Sequence, residues 1–143
     1  MTESAAAPAA VIRSARHGEV LCITIDNPPV NAISSAVRRG LKEAVEAADA
    51  DAGVKAILIA GEGANFVAGA DIREFGQAPQ PPSLPEVCNR IEDCAKPVVA
   101  AIRGAALGGG LEIALAAHWR VALADARLGL PEVQLGLMPG AGG

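Results

Sequence analysis

Short apolar runs rich in β-branched residues alternate along this chain with stretches whose apolar residues recur every three or four positions. That alternation constrains the fold more than any other feature. Val20-Leu21-Cys22-Ile23-Thr24-Ile25 is the first run, and Asp26-Asn27-Pro28-Pro29 stops it with residues that cannot continue a strand ladder. From Ser35 to Ala48, the residues Val37, Leu41, Ala44, Val45 and Ala48 share one helical face, with Arg38, Lys42, Glu43 and Glu46 between them on polar positions. Val54 to Ala60 returns to the pattern of a buried strand. Asp71 and Glu74 have the spacing of a capping box, which predicts a short helix there. Gln77 to Pro85 holds four of the ten prolines and reads as a surface loop, after which Val87, Cys88, Ile91 and Cys94 mark another helical stripe. Pro97 to Ile102 predicts a strand, and Gly108-Gly109-Gly110 introduces a buried helix from Leu111 to Ala117. Val121 to Ala124 and Arg127 to Leu130 predict two short closing strands. Strands alternating with helices define an α/β class with right-handed crossovers.

Composition narrows the function classes. With 51% apolar residues and only 2% aromatic ones, the core must be aliphatic. The net charge is −4 and no basic cluster stands out, so the electrostatic footprint of nucleic-acid binding is missing; Tyr is absent, which removes a base-stacking platform as well. Cys22, Cys88 and Cys94 are odd in number and lack CxxC spacing, which suits free thiols in a reducing, cytoplasmic setting rather than a disulfide framework or a metal site. No apolar run approaches the roughly 20 residues needed to span a bilayer. The opening MTESAAAPAA carries Glu3 and no early basic residue, so residues 1–17 read as a loosely ordered tail and residues 18–143 as one domain.

The glycine clusters are where chemistry could reside. Gly61-Glu62-Gly63 follows a strand, but Phe66 stands where a dinucleotide fingerprint needs its third glycine. A phosphate-binding P-loop and a G-x-S-x-G nucleophile elbow are both absent. Ala106-Leu107-Gly108-Gly109-Gly110-Leu111-Glu112 differs, because three glycines free the backbone at the mouth of a helix that presents a carboxylate in its first turn. Such a helix mouth can hold an oxyanion on its N–H groups; close packing of the glycines against a neighbouring strand is the alternative. Glu132, after Leu128-Gly129-Leu130-Pro131, could be a solvated loop residue or the partner of Glu112. Two carboxylates at the edge of an apolar pocket can exchange protons beside a carbonyl.

The run Asn65 to Ile72, the run Ala106 to Glu112, the stretch Leu130 to Leu137 and the ending Pro139-Gly140-Ala141-Gly142-Gly143 together resemble, in order, the motifs of the crotonase (enoyl-CoA hydratase/isomerase) family. Asn27 to Ala32 and Ala68 to Phe75 look most like the hydratase/isomerase part of bifunctional fatty-acid oxidation enzymes. The resemblance implies a coiled stack of β-β-α units. It implies that the N–H groups of Ala70 and Gly109 bind the thioester oxygen, and that Glu112 and Glu132 are the acid/base pair. Ala68, with its neighbours Gly69, Asp71, Ile72 and Gly108, matches the strip that meets coenzyme A. The implied reaction is hydration of a 2-enoyl-CoA in fatty-acid β-oxidation, with no metal and no redox cofactor, coenzyme A being part of the substrate. A 3,2-enoyl-CoA isomerase, or an inactive acyl-CoA-binding fragment, are the alternatives. The family domain continues with helices that cover the acyl pocket and build a trimer, or is fused to a dehydrogenase. The Gly-rich ending therefore suggests a truncated domain.

Overall fold

The structure, a computed structural model, describes residues 9–143. In chain order its elements are β1 (Ile12–His17), β2 (Val20–Ile25), α1 (Ser35–Ala50), β3 (Ala56–Gly61), α2 (Leu84–Glu92), β4 (Val98–Ile102), β5 (Ala105–Leu107), α3 (Gly109–Ala116), β6 (Trp119–Ala122) and β7 (Arg127–Gly129). Two 3-10 turns, Ile72–Glu74 and Pro131–Leu135, complete the set. Five strands form one sheet in the order β1-β2-β3-β4-β6, antiparallel between β1 and β2 and parallel elsewhere.

A second, smaller layer is built from single bridges and one short pair. Ile33 bridges Ala70, Val67 bridges Ala106, and β5 pairs with β7. Each pass of the chain thus gives a strand to the large sheet, a shorter segment to the small layer, and then a helix or 3-10 turn. This is the coiled β-β-α stack that the resemblance implied. Gly104 makes one of the corners between layers: its φ is +61°, and a Cβ there would lie 2.1 Å from the Ala64 carbonyl oxygen, so only glycine fits.

The core lies between the large sheet and helices α1 and α2. Val37, Leu41, Val45 and Ala48 form the buried stripe of α1, with Val87, Cys88 and Ile91 facing them from α2. Ile23, Ile25, Ile57, Ile59, Val98 and Ala100 close it from the strands, and Phe66 is the one buried aromatic ring. Asn31 is the buried polar hinge beside this core. Its φ is +56°, and its amide nitrogen donates to the carbonyls of Glu62 (2.9 Å), Asn65 (3.0 Å) and Phe66 (3.2 Å) while its Oδ1 accepts the Asn27 N–H (2.9 Å).

Three sequence expectations need correction. Residues 1–17 were expected to be loosely ordered; residues 1–8 lie outside the described residues, but Ile12–His17 is strand β1, paired with β2 along its whole length. It escaped the periodicity because it is an edge strand whose residues after Ile12 are all exposed, so no apolar face marks it. Asp71 does cap the turn at Ile72–Glu74 by accepting the Arg73 N–H (3.0 Å), but Glu74 does not close a capping box: its carboxylate reaches α1 instead. The box forms at Ser83 and Glu86, where the S-x-x-E signature was present in the sequence and starts α2 inside the expected loop.

Candidate active site

The small layer brings the glycine clusters together. In the bridge between Ile33 and Ala70, the Ile33 N–H donates to Gly69 O (2.8 Å) and the Asp71 N–H donates to Ile33 O (3.1 Å). In such a parallel bridge the flanking residues make the bonds, so Ala70's own N–H points to the opposite side. Among the described residues it has no acceptor. Helix α3 begins at Gly109, whose N–H is one of the donors a helix cannot satisfy internally. It also has no acceptor among the described residues.

The three glycines hold these segments in place for different reasons. Gly108 has φ +55° and donates its N–H to Gly129 O (2.9 Å), which draws β7 and the following turn over the helix mouth. A Cβ on Gly109 would meet Ile33 Cδ1 and Leu84 Cδ2 at 2.8 Å, and one on Gly110 would lie 2.1 Å from Val67 O. Close packing thus requires glycine at both Gly109 and Gly110, and Gly109 in addition lies on the wall of a cavity.

That cavity, about 260 Å³, is lined by Ala68, Gly69, Ala70, Ile72, Phe75, Leu107, Gly108, Gly109, Pro131, Glu132, Leu135 and Leu137. Ala70 and Gly109, the residues with the unpaired N–H groups, and Glu132 all belong to its wall. Glu132 sits in the first turn of the 3-10 segment after β7, with one carboxylate oxygen 3.2 Å from where a Gly108 Cβ would be. Its other oxygen, Oε2, is buried without a hydrogen-bond partner among the described residues. A buried carboxylate oxygen left unpaired costs free energy unless a ligand or water completes it.

Glu112 is placed differently. It is buried in the first turn of α3, and its Oε1 accepts the N–H groups of Ala141 (2.8 Å) and Gly143 (3.2 Å). The Gly-rich ending thus orients this carboxylate. Its Oε2 stands 3.9 Å from the Cβ position of Gly109, while the carboxylate lines a neighbouring cavity of about 330 Å³ with Cys88 and Gly140 to Gly142. The two glutamates flank adjacent glycines, each fronting its own cavity. Burial first, and then the carboxylates of Glu112 and Glu92, push the Cys88 thiol up to about 12. That keeps it neutral and inert.

Asp71 does not line the cavity. Its buried carboxylate takes a fork from the exposed Arg73 (Nε to Oδ1 2.9 Å, Nη2 to Oδ2 2.7 Å). The Arg73 hydrogen bonds hold Asp71 below the usual carboxylate range despite its burial. Of the residues expected to meet coenzyme A, Ala68, Gly69, Ile72 and Gly108 are in the wall and Asp71 is not.

The enoyl-CoA hydratase/isomerase family model matches residues 15–143, and the chain belongs to that family. It is 54% identical over 124 residues to the peroxisomal bifunctional enzyme of Danio rerio, covering 87% of this chain and 17% of that protein. It is 49% identical over 131 residues to a probable enoyl-CoA hydratase of Bacillus subtilis, covering 87% of this chain and 51% of the relative. Among solved structures, Pseudomonas aeruginosa DspI superposes with a TM-score of 0.85 at 33% identity, over 97% of this chain and 56% of that one. The enoyl-CoA hydratase from Bacillus anthracis gives a TM-score of 0.85 at 30% identity, over 92% of this chain and 55% of the other. The fold is therefore that of the crotonase family, and the chain spans from about a sixth to about half the length of these curated relatives.

Proposed function

We propose that the polypeptide carrying this site hydrates a 2-enoyl thioester of coenzyme A. The observation that carries the reading is the complementarity of one cavity: two N–H groups without acceptors, at Ala70 and Gly109, and a buried carboxylate oxygen without a donor, on Glu132. A thioester carbonyl oxygen between the two N–H groups is stabilised most when it carries enolate charge, so the site favours the transition state over the ground state.

In the proposed step, water adds its oxygen to C3 of the conjugated double bond while Glu112 accepts a water proton. The π electrons move toward the thioester oxygen, which is held by Ala70 and Gly109. Protonated Glu132 delivers its proton to C2 as the carbonyl re-forms; the proton taken up by Glu112 then returns to Glu132 by way of solvent, so both carboxyl groups are restored and the balance is one water added across one double bond. The sequence is complete with water and two carboxylates; coenzyme A enters and leaves as part of the substrate. Fatty-acid β-oxidation is the setting suggested by the name of an Arabidopsis thaliana relative, a peroxisomal fatty acid beta-oxidation multifunctional protein. Association through a trimer-based assembly, or fusion to a second activity as in the bifunctional relatives, belongs to the same proposal. So does a reducing compartment, cytoplasmic or peroxisomal, for the three free thiols. Among the described residues no helix is long and apolar enough to cross a membrane.

A second reading, 3,2-enoyl-CoA isomerisation, is favoured by one observation: Glu132 alone of the two glutamates lines the cavity that holds both N–H groups. One experiment separates the two. In the full-length protein, hydration is followed as loss of the conjugated thioester's absorbance, and isomerisation as its gain from a 3-enoyl-CoA. Hydratase function predicts that Glu112→Gln and Glu132→Gln each lower the hydration kcat by on the order of 10² or more. Full isomerase activity in Glu112→Gln, with no hydration by the parent, would replace the first reading with the second.

A further inference from the structure

Arg38 stands on the polar side of α1 in the sequence, yet its side chain is only 14% exposed, and three acceptors surround its guanidinium. Nε donates to Pro82 O (2.7 Å), Nη2 donates to Gln80 O (3.0 Å), and Nη1 donates to Glu74 Oε2 (3.2 Å). The other oxygen of Glu74 accepts the Ser35 N–H at the start of α1 (2.7 Å). Burial raises the Glu74 pKa, but the Ser35 N–H and the Arg38 guanidinium more than offset this and leave it net below its ordinary value.

These bonds tie α1 to the proline-rich loop at Gln80 and Pro82, and through Glu74 to the segment that carries Ala70. That segment is held on one side by the Ile33 bridge and on the other by Glu74, four residues further on. Between loop and helix lies a cavity of about 350 Å³ lined by Arg38, Ile33, Leu84 and Ala70, with the loop residues Gln80 and Pro81. Ala70 belongs both to this cavity and to the one containing Glu132. Ile33 and Leu84, on its wall, are also the two side chains that abut Gly109. Loosening the loop therefore reaches both N–H donors through one packed layer.

We propose that Arg38 is a positioning residue for the oxyanion-binding N–H of Ala70, an inference that rests on the proposed thioester site. A planar guanidinium reaches three acceptors in three directions at once, which the single ammonium of lysine cannot do. The bonds it makes set the direction of a donor that matters most when charge develops on the substrate, so its loss falls on kcat and not on KM.

The test compares the full-length parent with Arg38→Met, Arg38→Lys and, as a control one residue along on the exposed face, Arg39→Met. The expected result is a fall in hydration kcat on the order of 10-fold to 10²-fold for both Arg38 variants, the scale of a misplaced reacting group. KM changes less than about threefold, a small change of the kind left when ground-state binding is intact, and Arg39→Met behaves as the parent. Amide hydrogen exchange is read in the same proteins without substrate: the segment from Ala70 to Glu74 exchanges faster in Arg38→Met while β2, β3 and β4 keep the parent's protection. An unchanged kcat with unchanged exchange at Ala70 overturns the proposal, as does a loss of activity that Arg38→Lys fully restores. If the parent hydrates nothing, the thioester reading fails by itself. The exchange result then decides whether Arg38 still orders the Ala70 segment.

Discussion

Replacing Gly110 by alanine tests how the helix mouth is built. The added methyl would lie 2.1 Å from Val67 O and 2.8 Å from the Val67 carbonyl carbon and Cβ. A carbon–oxygen contact settles near 3.3 Å, so the start of α3 must withdraw from Val67 by about 1 Å. Val67 O cannot yield freely, because it accepts the Leu107 N–H (3.0 Å) beside the bridge to Ala106. Overpacking of this kind costs about 1–3 kcal/mol, and weakening that hydrogen bond about 1 kcal/mol more. Alanine returns about 1 kcal/mol through its better helix propensity. The net expectation is a loss of about 2 kcal/mol, or roughly 8 °C in Tm for a chain of this size. The assay is urea and thermal unfolding followed by circular dichroism, with Gly140→Ala as the control, since nothing lies within 4 Å of a Cβ at that position. If Gly110→Ala equals or exceeds the parent in stability, the close approach of α3 to Val67 is not as described, and the placement of the Gly109 N–H falls with it.

Other consequences follow from single groups. Asn31→Asp turns a donor facing three carbonyls into an acceptor, so a destabilisation of about 3 kcal/mol or more is expected in the same unfolding assay; a loss below about 1 kcal/mol would contradict the described hydrogen bonds. Maleimide at neutral pH should label half-buried Cys22 first and reach Cys88, buried and with its thiol pushed up to about 12, only when the protein unfolds; mass mapping of early labelling on Cys88 would count against its burial. Asp71 and Glu74 both sit below their ordinary range, so they favour the folded state above the ordinary carboxylate pKa, near about pH 4, and that contribution fades as the pH falls through their lowered folded values. Urea midpoints taken at descending pH should therefore drop, and drop less steeply in Asp71→Asn; equal slopes would contradict the assignment.

The α/β alternation was readable because each main helix and strand carries a one-sided or continuous apolar pattern: Val37, Leu41, Val45 and Ala48 on α1, Ile57 and Ile59 on β3, Val98 and Ala100 on β4. Strand β1 was not, because an edge strand exposed at every residue after Ile12 carries no apolar alternation, and β5 was too short to register at three residues. The glycine triplet gave away the helix mouth, since glycine inside a helix is costly unless a close approach requires it. Only the fold could place Glu132 and the Ala70 N–H on one cavity, because their meeting depends on the bridge to Ile33 and on the Gly108–Gly129 hydrogen bond. Arg38 looked like any polar-face residue; its partners Gln80 and Pro82 are backbone carbonyls, which carry no signature in the sequence.

Two backbone donors, on Ala70 and Gly109, share one ligand oxygen in the proposed site, and nuclear magnetic resonance observes such donors directly. With uniformly 15N-labelled protein, titration with a saturated acyl-CoA, which carries the thioester but cannot be hydrated, should move the Ala70 and Gly109 amide protons downfield together, at the same ligand concentration and more than those of β1 or the outer face of α1. Saturable binding that leaves both amides unmoved, or moves one without the other, would contradict the claim that they form a single oxyanion site.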